Sequence, residues 1–361
     1  MILFIAALLI LSLVGIRFAG KDGFEDYMSP QKTGSVKGLF VIIVFFSHIR
    51  QYCSPVLDSM NKPYYDFLNW FGQLMVVMFL FYSGYGVYLA IQKKDGYIKT
   101  IPVKRVFKVW YHFALAILLY LLLGIAMGKK FTPQRFFESL IGKSDLGNSS
   151  WFIMTILLLY LATFIGFIFI GREHMLAGTV VTTALTVLAV IWLMKLKGDS
   201  YWWYDTALCY PLGMWYAMAK PKLDQALMHD FGKWFSASAI TLIVFYILKF
   251  SLPNLTRSRH LFFFTALAFG MLIALISMRI SVDNAVLRWF GKHIMGIYIL
   301  QRIPMIYFQS IGLNQYPKVY LLCCFAATLL IAWGFDAATD KLDILLHLSP
   351  KRSGAGRKIK Q

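Results

Sequence analysis

The chain has 361 residues, 59% of them hydrophobic and 15% charged, with a mean hydropathy of +0.63. Soluble globular domains carry about a quarter charged residues, so this composition excludes that class and points to an all-α, polytopic transmembrane helix bundle. The net charge of +19 lies largely in loops between apolar runs, where it sets topology and attracts anionic headgroups or an anionic cofactor; no nucleic-acid-binding pattern accompanies it.

The first apolar run, residues 2–16, is followed by its cations, Arg17 and Lys21. A signal peptide has the reverse order, so residues 1–18 are expected to form an extra, uncleaved N-terminal helix with its start outside. A polar connector over 19–34 leads to the second helix, about 37–52, within the stretch SVKGLFVIIVFFSHIR. Lys37 and His48 are 11 residues apart, which on a helix puts them on nearly one face and about 16 Å apart along the axis. That is about half a bilayer core. An imidazole at such depth lines a cavity, performs a function, or is satisfied by a neighbouring helix. Arg50 lies on a different face.

The third helix, about 67–92, contains MFLFYSGYGVYLA. Its Ser83-Gly84-Tyr85-Gly86 step reads either as close helix packing or as part of a cavity wall; the flanking pattern of a dinucleotide fold is missing. The connector KKDGYIKTIPVKRVFKVW is strongly basic and argues for the cytoplasmic side. Within it Arg105 and Lys108 stand one helical turn apart and read either as ordinary positive-inside topology or as a clamp for phosphates.

The fourth helix, about 107–126, is followed by a polar loop over 127–149. Asn148 and Ser149 are expected to cap a fifth helix that starts at Trp151. Further apolar segments fall near 177–195, 205–219, 236–250, 260–280, 287–308 and 317–338, giving about 10–11 spans. Segment 205–219 is short and interrupted by Pro211 and Gly213. Segment 287–308 carries Arg288, Lys292, His293 and Arg302, reading as a polar interior or as snorkelling ends. With a basic cytoplasmic tail over 341–361, connectors 17–37, 93–106 and 220–233 fall inside. Loop 127–149, with Lys129, Lys130, Arg135 and Lys143, then falls outside, against the charge rule. The four cysteines (Cys53, Cys209, Cys323, Cys324) show neither a disulfide framework nor zinc spacing, and no metal is expected.

A cation at one mouth and an imidazole deeper on the same face suit a long anionic co-substrate: the cation holds its phosphates and the imidazole meets its reactive end. Coenzyme A thioesters have that form. A neutral imidazole can take a proton from an acceptor hydroxyl or be acylated itself.

Lys37-x10-His48, then FLFYSGY (79–85), KRVFKVWY (104–111), Trp151-Phe152 and GKHIMGIYIL (291–300) occur in that order. Together they resemble the membrane-bound acyltransferase-3 family, integral-membrane enzymes that O-acylate sugars of surface glycans, lipid-linked saccharides and antibiotics. The resemblance covers roughly residues 33–340. It implies that His48 and Lys37 are the catalytic pair, and that Lys37, Arg105 and Lys108 bind acetyl-CoA or another acyl-CoA. Ser83, Tyr85, Trp151 and Tyr298 are candidate substrate-binding residues. Two departures stand out. Lys replaces a frequent Arg at 37 and at 108, giving point charge rather than a fork, and Asp336, Asp340 and Asp343 offer no assignable acidic partner for His48.

The expected function is O-acetylation: transfer of acetyl from acetyl-CoA to a hydroxyl of a cell-surface or lipid-linked glycan, by a multi-pass protein of the cell (plasma or inner) membrane. A second reading is a transporter or flippase of a glycan intermediate or small solute, resting on segments 205–219 and 287–308. A membrane scaffold is the third. The acceptor and the side of transfer stay open.

Overall fold

The computed structural model describes residues 2–52, 62–252 and 261–348; Cys53 and most of the basic tail lie outside them. Helix α1 (Ile2–Leu13) and strand β1 (Ile16–Phe18) precede α2 (Pro30–Ile49), α3 (Lys62–Phe71), α4 (Val77–Lys93), α5 (Tyr97–Ile101) and α6 (Lys108–Ala126). Then come α7 (Pro133–Leu140), α8 (Trp151–Ile168), α9 (Met175–Lys197), α10 (Cys209–Leu227) and α11 (Phe231–Tyr246). The chain closes with α12 (Leu261–Ser277), β2 (Ile280–Val282), α13 (Ala285–Lys292), α14 (Ile294–Leu300), α15 (Arg302–Ser310) and α16 (Pro317–Leu345). β1 and β2 pair antiparallel with Ile16 opposite Val282.

Every apolar segment expected from the sequence contains helix, and the chain is an all-α, multi-pass bundle. Seven helices among the described residues are long and apolar enough to cross a membrane. Their outer faces carry large exposed apolar side chains, including Leu188 and Trp192 on α9, Ile240 and Ile243 on α11, and Leu330 and Trp333 on α16. Stripes of this kind, exposed on several helices at once, match lipid rather than water.

The connectors sort to two ends. At the Lys37 end, Arg279 donates to the carbonyls of Gly20 (2.9 Å) and Met228 (2.8 Å), and Lys108 pairs with Asp343. The three loops expected on one side therefore gather at one end with the last turn of α16. At the His48 end, Arg302 reaches Gln51 (2.9 Å) and Ser149 reaches Tyr298 (3.5 Å), so the basic 127–149 loop lies opposite the others.

Two glycine crossings hold the bundle together. A Cβ on Gly84 would stand 1.9 Å from the Tyr210 carbonyl oxygen, and one on Gly213 would stand 2.0 Å from that of Phe81. The small-residue step of α4 is thus where α10 crosses backbone to backbone. The expected break at Pro211 and Gly213 does not occur: Pro211 sits in the first turn of an unbroken α10, where its missing N–H costs nothing. Gly84→Ala is expected to lower the thermal midpoint in detergent, at a cost of about 1–3 kcal/mol. Gly86→Ala, with nothing within 4 Å of the added carbon, is the control and should leave the midpoint unchanged or slightly raised.

The connection between α9 and α10 carries Asp205, 2% exposed, whose Oδ1 accepts from Gln73 (3.0 Å). Burial pushes this carboxyl up to about 7, against the hydrogen bond from Gln73 and the charge of Lys249. The folded state therefore keeps a proton that the unfolded chain gives up near the ordinary carboxylate range. Stability from this group falls as pH rises from that range to about 7 and is flat above it. Asp205→Asn should flatten that slope and raise the midpoint at pH 8, as read by thermal unfolding across pH.

Candidate functional site

Ser29 caps α2, accepting from the Lys32 N–H at 3.4 Å, and Pro30 opens the helix. From there α2 runs unbroken past both Lys37 and His48, so the face and the axial distance of about 16 Å expected from the spacing both hold. Asp283 ties the start of α2 to α13. It accepts from Ser35 (2.6 Å), Gln31 (3.0 Å) and Arg288 (3.0 Å). Burial works against its charge, but those hydrogen bonds and the Arg288 guanidinium hold its carboxyl below the usual range.

A second backbone crossing, between Gly38 and the Leu287 carbonyl and between Gly291 and the Gly34 carbonyl, brings α13 against α2. Lys37, Arg288 and Lys292 then line one cavity of about 480 Å³. Arg105 comes close enough to repel Lys37. It is held by Tyr97, which accepts from its Nε at 2.9 Å, and by the Tyr160 ring at 5.9 Å; Ser83 in turn bonds Tyr160 at 2.7 Å. Among the described residues Lys37, Arg105 and Lys292 have no ion-pair partner. Cations gathered without counter-charge favour the approach of an anion.

Lys108 does not join them. Residues Pro102–Phe107 form a π-helical turn, which rotates the chain less per residue than an α-turn and so sets Lys108 further off the face of Arg105. Its Nζ lies 2.5 Å from Asp343, a carboxylate only 1% exposed that also accepts from Tyr111 (3.2 Å) and contacts His112 (3.0 Å). Asp336 is likewise engaged, by His293 at 2.6 Å. Both carboxylates sit toward the far end of α16 from His48.

His48 is one residue from the end of α2, its Nδ1 buried and without a hydrogen bond among the described residues. The Tyr298 ring lies 6.3 Å away, and Phe152 packs at a tilt against Tyr298 at 5.2 Å with Trp151 edge-on behind it at 5.8 Å. Gln301 stands beside the imidazole. Arg50 turns to Asn69, as its position on α2 predicts. Tyr85 is elsewhere: it packs on Tyr216 at 6.4 Å, near Asp224.

The 287–308 segment is a polar interior, not a span with snorkelling ends. It breaks into α13, α14 and α15, with His293 (5% exposed) and Gln301 (0%) at the breaks. Its first piece supplies Arg288 and Lys292 to the cavity and its second supplies Tyr298.

Residues 35–337 match a family model described as an acyltransferase domain. The chain belongs to the acyltransferase-3 family. No curated protein and no solved structure matches it.

The protein is thus a membrane acyltransferase, and the family match spans both Lys37 and His48. Three of its site-lining groups are invisible to motif reading. Tyr97 and Tyr160 orient Arg105 from other helices, and Gln301 is a lone amide inside an apolar run. Asn148 and Ser149 do not cap α8: its first residue follows Ser150, which makes no capping hydrogen bond. Asn148 instead accepts from the Leu146 N–H at 2.9 Å, and Ser149 faces Tyr298.

Proposed function

We propose that the acyltransferase moves acetyl from acetyl-CoA, entering at the Lys37 end, to a hydroxyl of a cell-surface or lipid-linked saccharide. The observation that carries this is the single unbroken α2, with a lysine that has no ion-pair partner among the described residues in a cationic cavity at one level, and an imidazole whose buried Nδ1 has no hydrogen bond among them at another on the same face. The cations suit the phosphates of the coenzyme, and the distance along α2 suits its thioester arm. Lys37, Arg105 and Lys292 are the residues for the phosphates; Lys108, neutralised by Asp343, supports the fold around them.

His48 takes the proton of the acceptor hydroxyl, whose oxygen attacks the thioester carbonyl; the C–S bond breaks and the departing sulfur takes the proton back. The alternative order, acetyl first on the imidazole and then on the hydroxyl, has the same balance. On this reading the protein works in a cell membrane with the basic mouth on the acyl-CoA side, which the apolar helices and the acyltransferase family support. Purified protein given labelled acetyl-CoA and a saccharide-rich membrane extract is expected to transfer label to saccharide; folded protein that moves none, and releases none to water, contradicts the reading. A transporter would move saccharide without acetyl-CoA and survive His48→Ala.

A further inference from the structure

Four polar atoms around the imidazole are buried and without a hydrogen bond among the described residues: His48 Nδ1, Gln301 Oε1, Asn148 Nδ2 and Arg302 Nε. Arg302 follows Gln301 in the chain, and His48, Gln301 and Ser149, the residue after Asn148, meet at Tyr298. Its ring is 6.3 Å from His48, its carbonyl accepts from Gln301 Nε2 at 3.1 Å, and its hydroxyl is 3.5 Å from Ser149, the neighbour of Asn148. These bonds settle which way each amide faces. Gln301 spends its NH2 on the Tyr298 carbonyl, and Asn148 spends its oxygen on the Leu146 N–H at 2.9 Å. The free groups are therefore an acceptor on Gln301 and a donor on Asn148, each pinned by backbone.

We propose that Asn148 and Gln301, with Arg302 at their edge, form an acceptor subsite that seats neighbouring hydroxyl groups of a saccharide beside His48. This rests on the acetyl-transfer reading above and names its acceptor side. A hydroxyl both donates and accepts, so one can donate to Gln301 while the next accepts from Asn148. A carboxylate or phosphate cannot satisfy Gln301, and an ammonium cannot satisfy Asn148. Buried groups with unmet capacity reject a ligand lacking the matching hydroxyl far more strongly than apolar walls reject a change of size.

Carbethoxylation of His48 by diethyl pyrocarbonate, followed by peptide mass spectrometry on the full chain, reads the subsite directly. The probes are acetyl-CoA and a panel of methyl glucoside, methyl galactoside, methyl mannoside and N-acetylglucosamine. At least one saccharide is expected to slow modification, and its monodeoxy analogue lacking a contacted hydroxyl should need about tenfold higher concentration. Gln301→Met and Asn148→Ala should each weaken saccharide protection by about tenfold while protection by acetyl-CoA stays as in the parent. Protection by acetyl-CoA alone, with no saccharide or deoxy effect, overturns the subsite and leaves the donor reading intact, the four atoms then serving an ordered water. Saccharide protection unchanged in both variants overturns it too. Failure of acetyl-CoA to protect the parent protein overturns the reading beneath it.

Discussion

His48→Ala and His48→Gln are each expected to lower acetyl transfer about 10³-fold, within the range for loss of a positioned general base. The protein should stay folded and bind acetyl-CoA as before, because the buried Nδ1 of the imidazole makes no hydrogen bond among the described residues that would anchor α2. Gln is the sharper replacement, since it keeps polarity and bulk but can neither take up a proton nor carry an acetyl group. Radiolabel transfer with detergent-purified variants, beside acetyl-CoA binding by calorimetry, separates a chemical role from a structural one. A packing histidine would show the reverse: lowered stability with activity retained in the folded fraction.

The second large effect separates Lys37 and Arg105 from Lys108. Lys37→Ala and Arg105→Ala are each expected to raise the KM for acetyl-CoA by roughly ten- to a hundredfold, the worth of a charge-assisted hydrogen bond, with kcat changed much less. Lys37→Glu should be worse than Lys37→Ala, because it turns the anion's partner into a repellent. Lys108→Ala should leave that KM close to the parent's and lower the thermal midpoint instead. Removing one partner of a buried ion pair costs about 3–5 kcal/mol, reduced here because Lys108 is partly exposed and Tyr111 and His112 remain on Asp343. If all three variants raised KM alike, the separation made by the π-helical turn would have no functional meaning.

What could be read before folding follows how local each signal is. The helical period alone puts Lys37 and His48 on one face, and nothing interrupts α2 to spoil it. The same rule fails for Arg105 and Lys108 because the intervening turn is π-helical, a widening that the letters PVKRVF do not announce. Pro211 looked like a break and is a helix start, a distinction of two residues. The Ser83-Gly84-Tyr85-Gly86 step proved to be a backbone crossing at Gly84, while Ser83 reaches the cationic cluster through Tyr160. Gln301 and Asn148 carry no local signature, since what makes them notable is the partners they lack; that is known only once residues far apart in sequence meet at Tyr298. His293 with Asp336 is another such long-range pair.

Acetyl transfer from the Lys37 end to His48 requires one passage joining the cationic cavity to the imidazole. A cryo-electron-microscopy structure of the protein in lipid nanodiscs with a non-hydrolysable thioether analogue of acetyl-CoA tests it most directly. The expected density places the phosphates among Lys37, Arg105 and Lys292, with the arm along α2 and the acyl end beside His48 and Tyr298. A nucleotide bound away from Lys37, or an acyl end that never reaches the His48 ring because the Tyr298 side is sealed, would contradict the account.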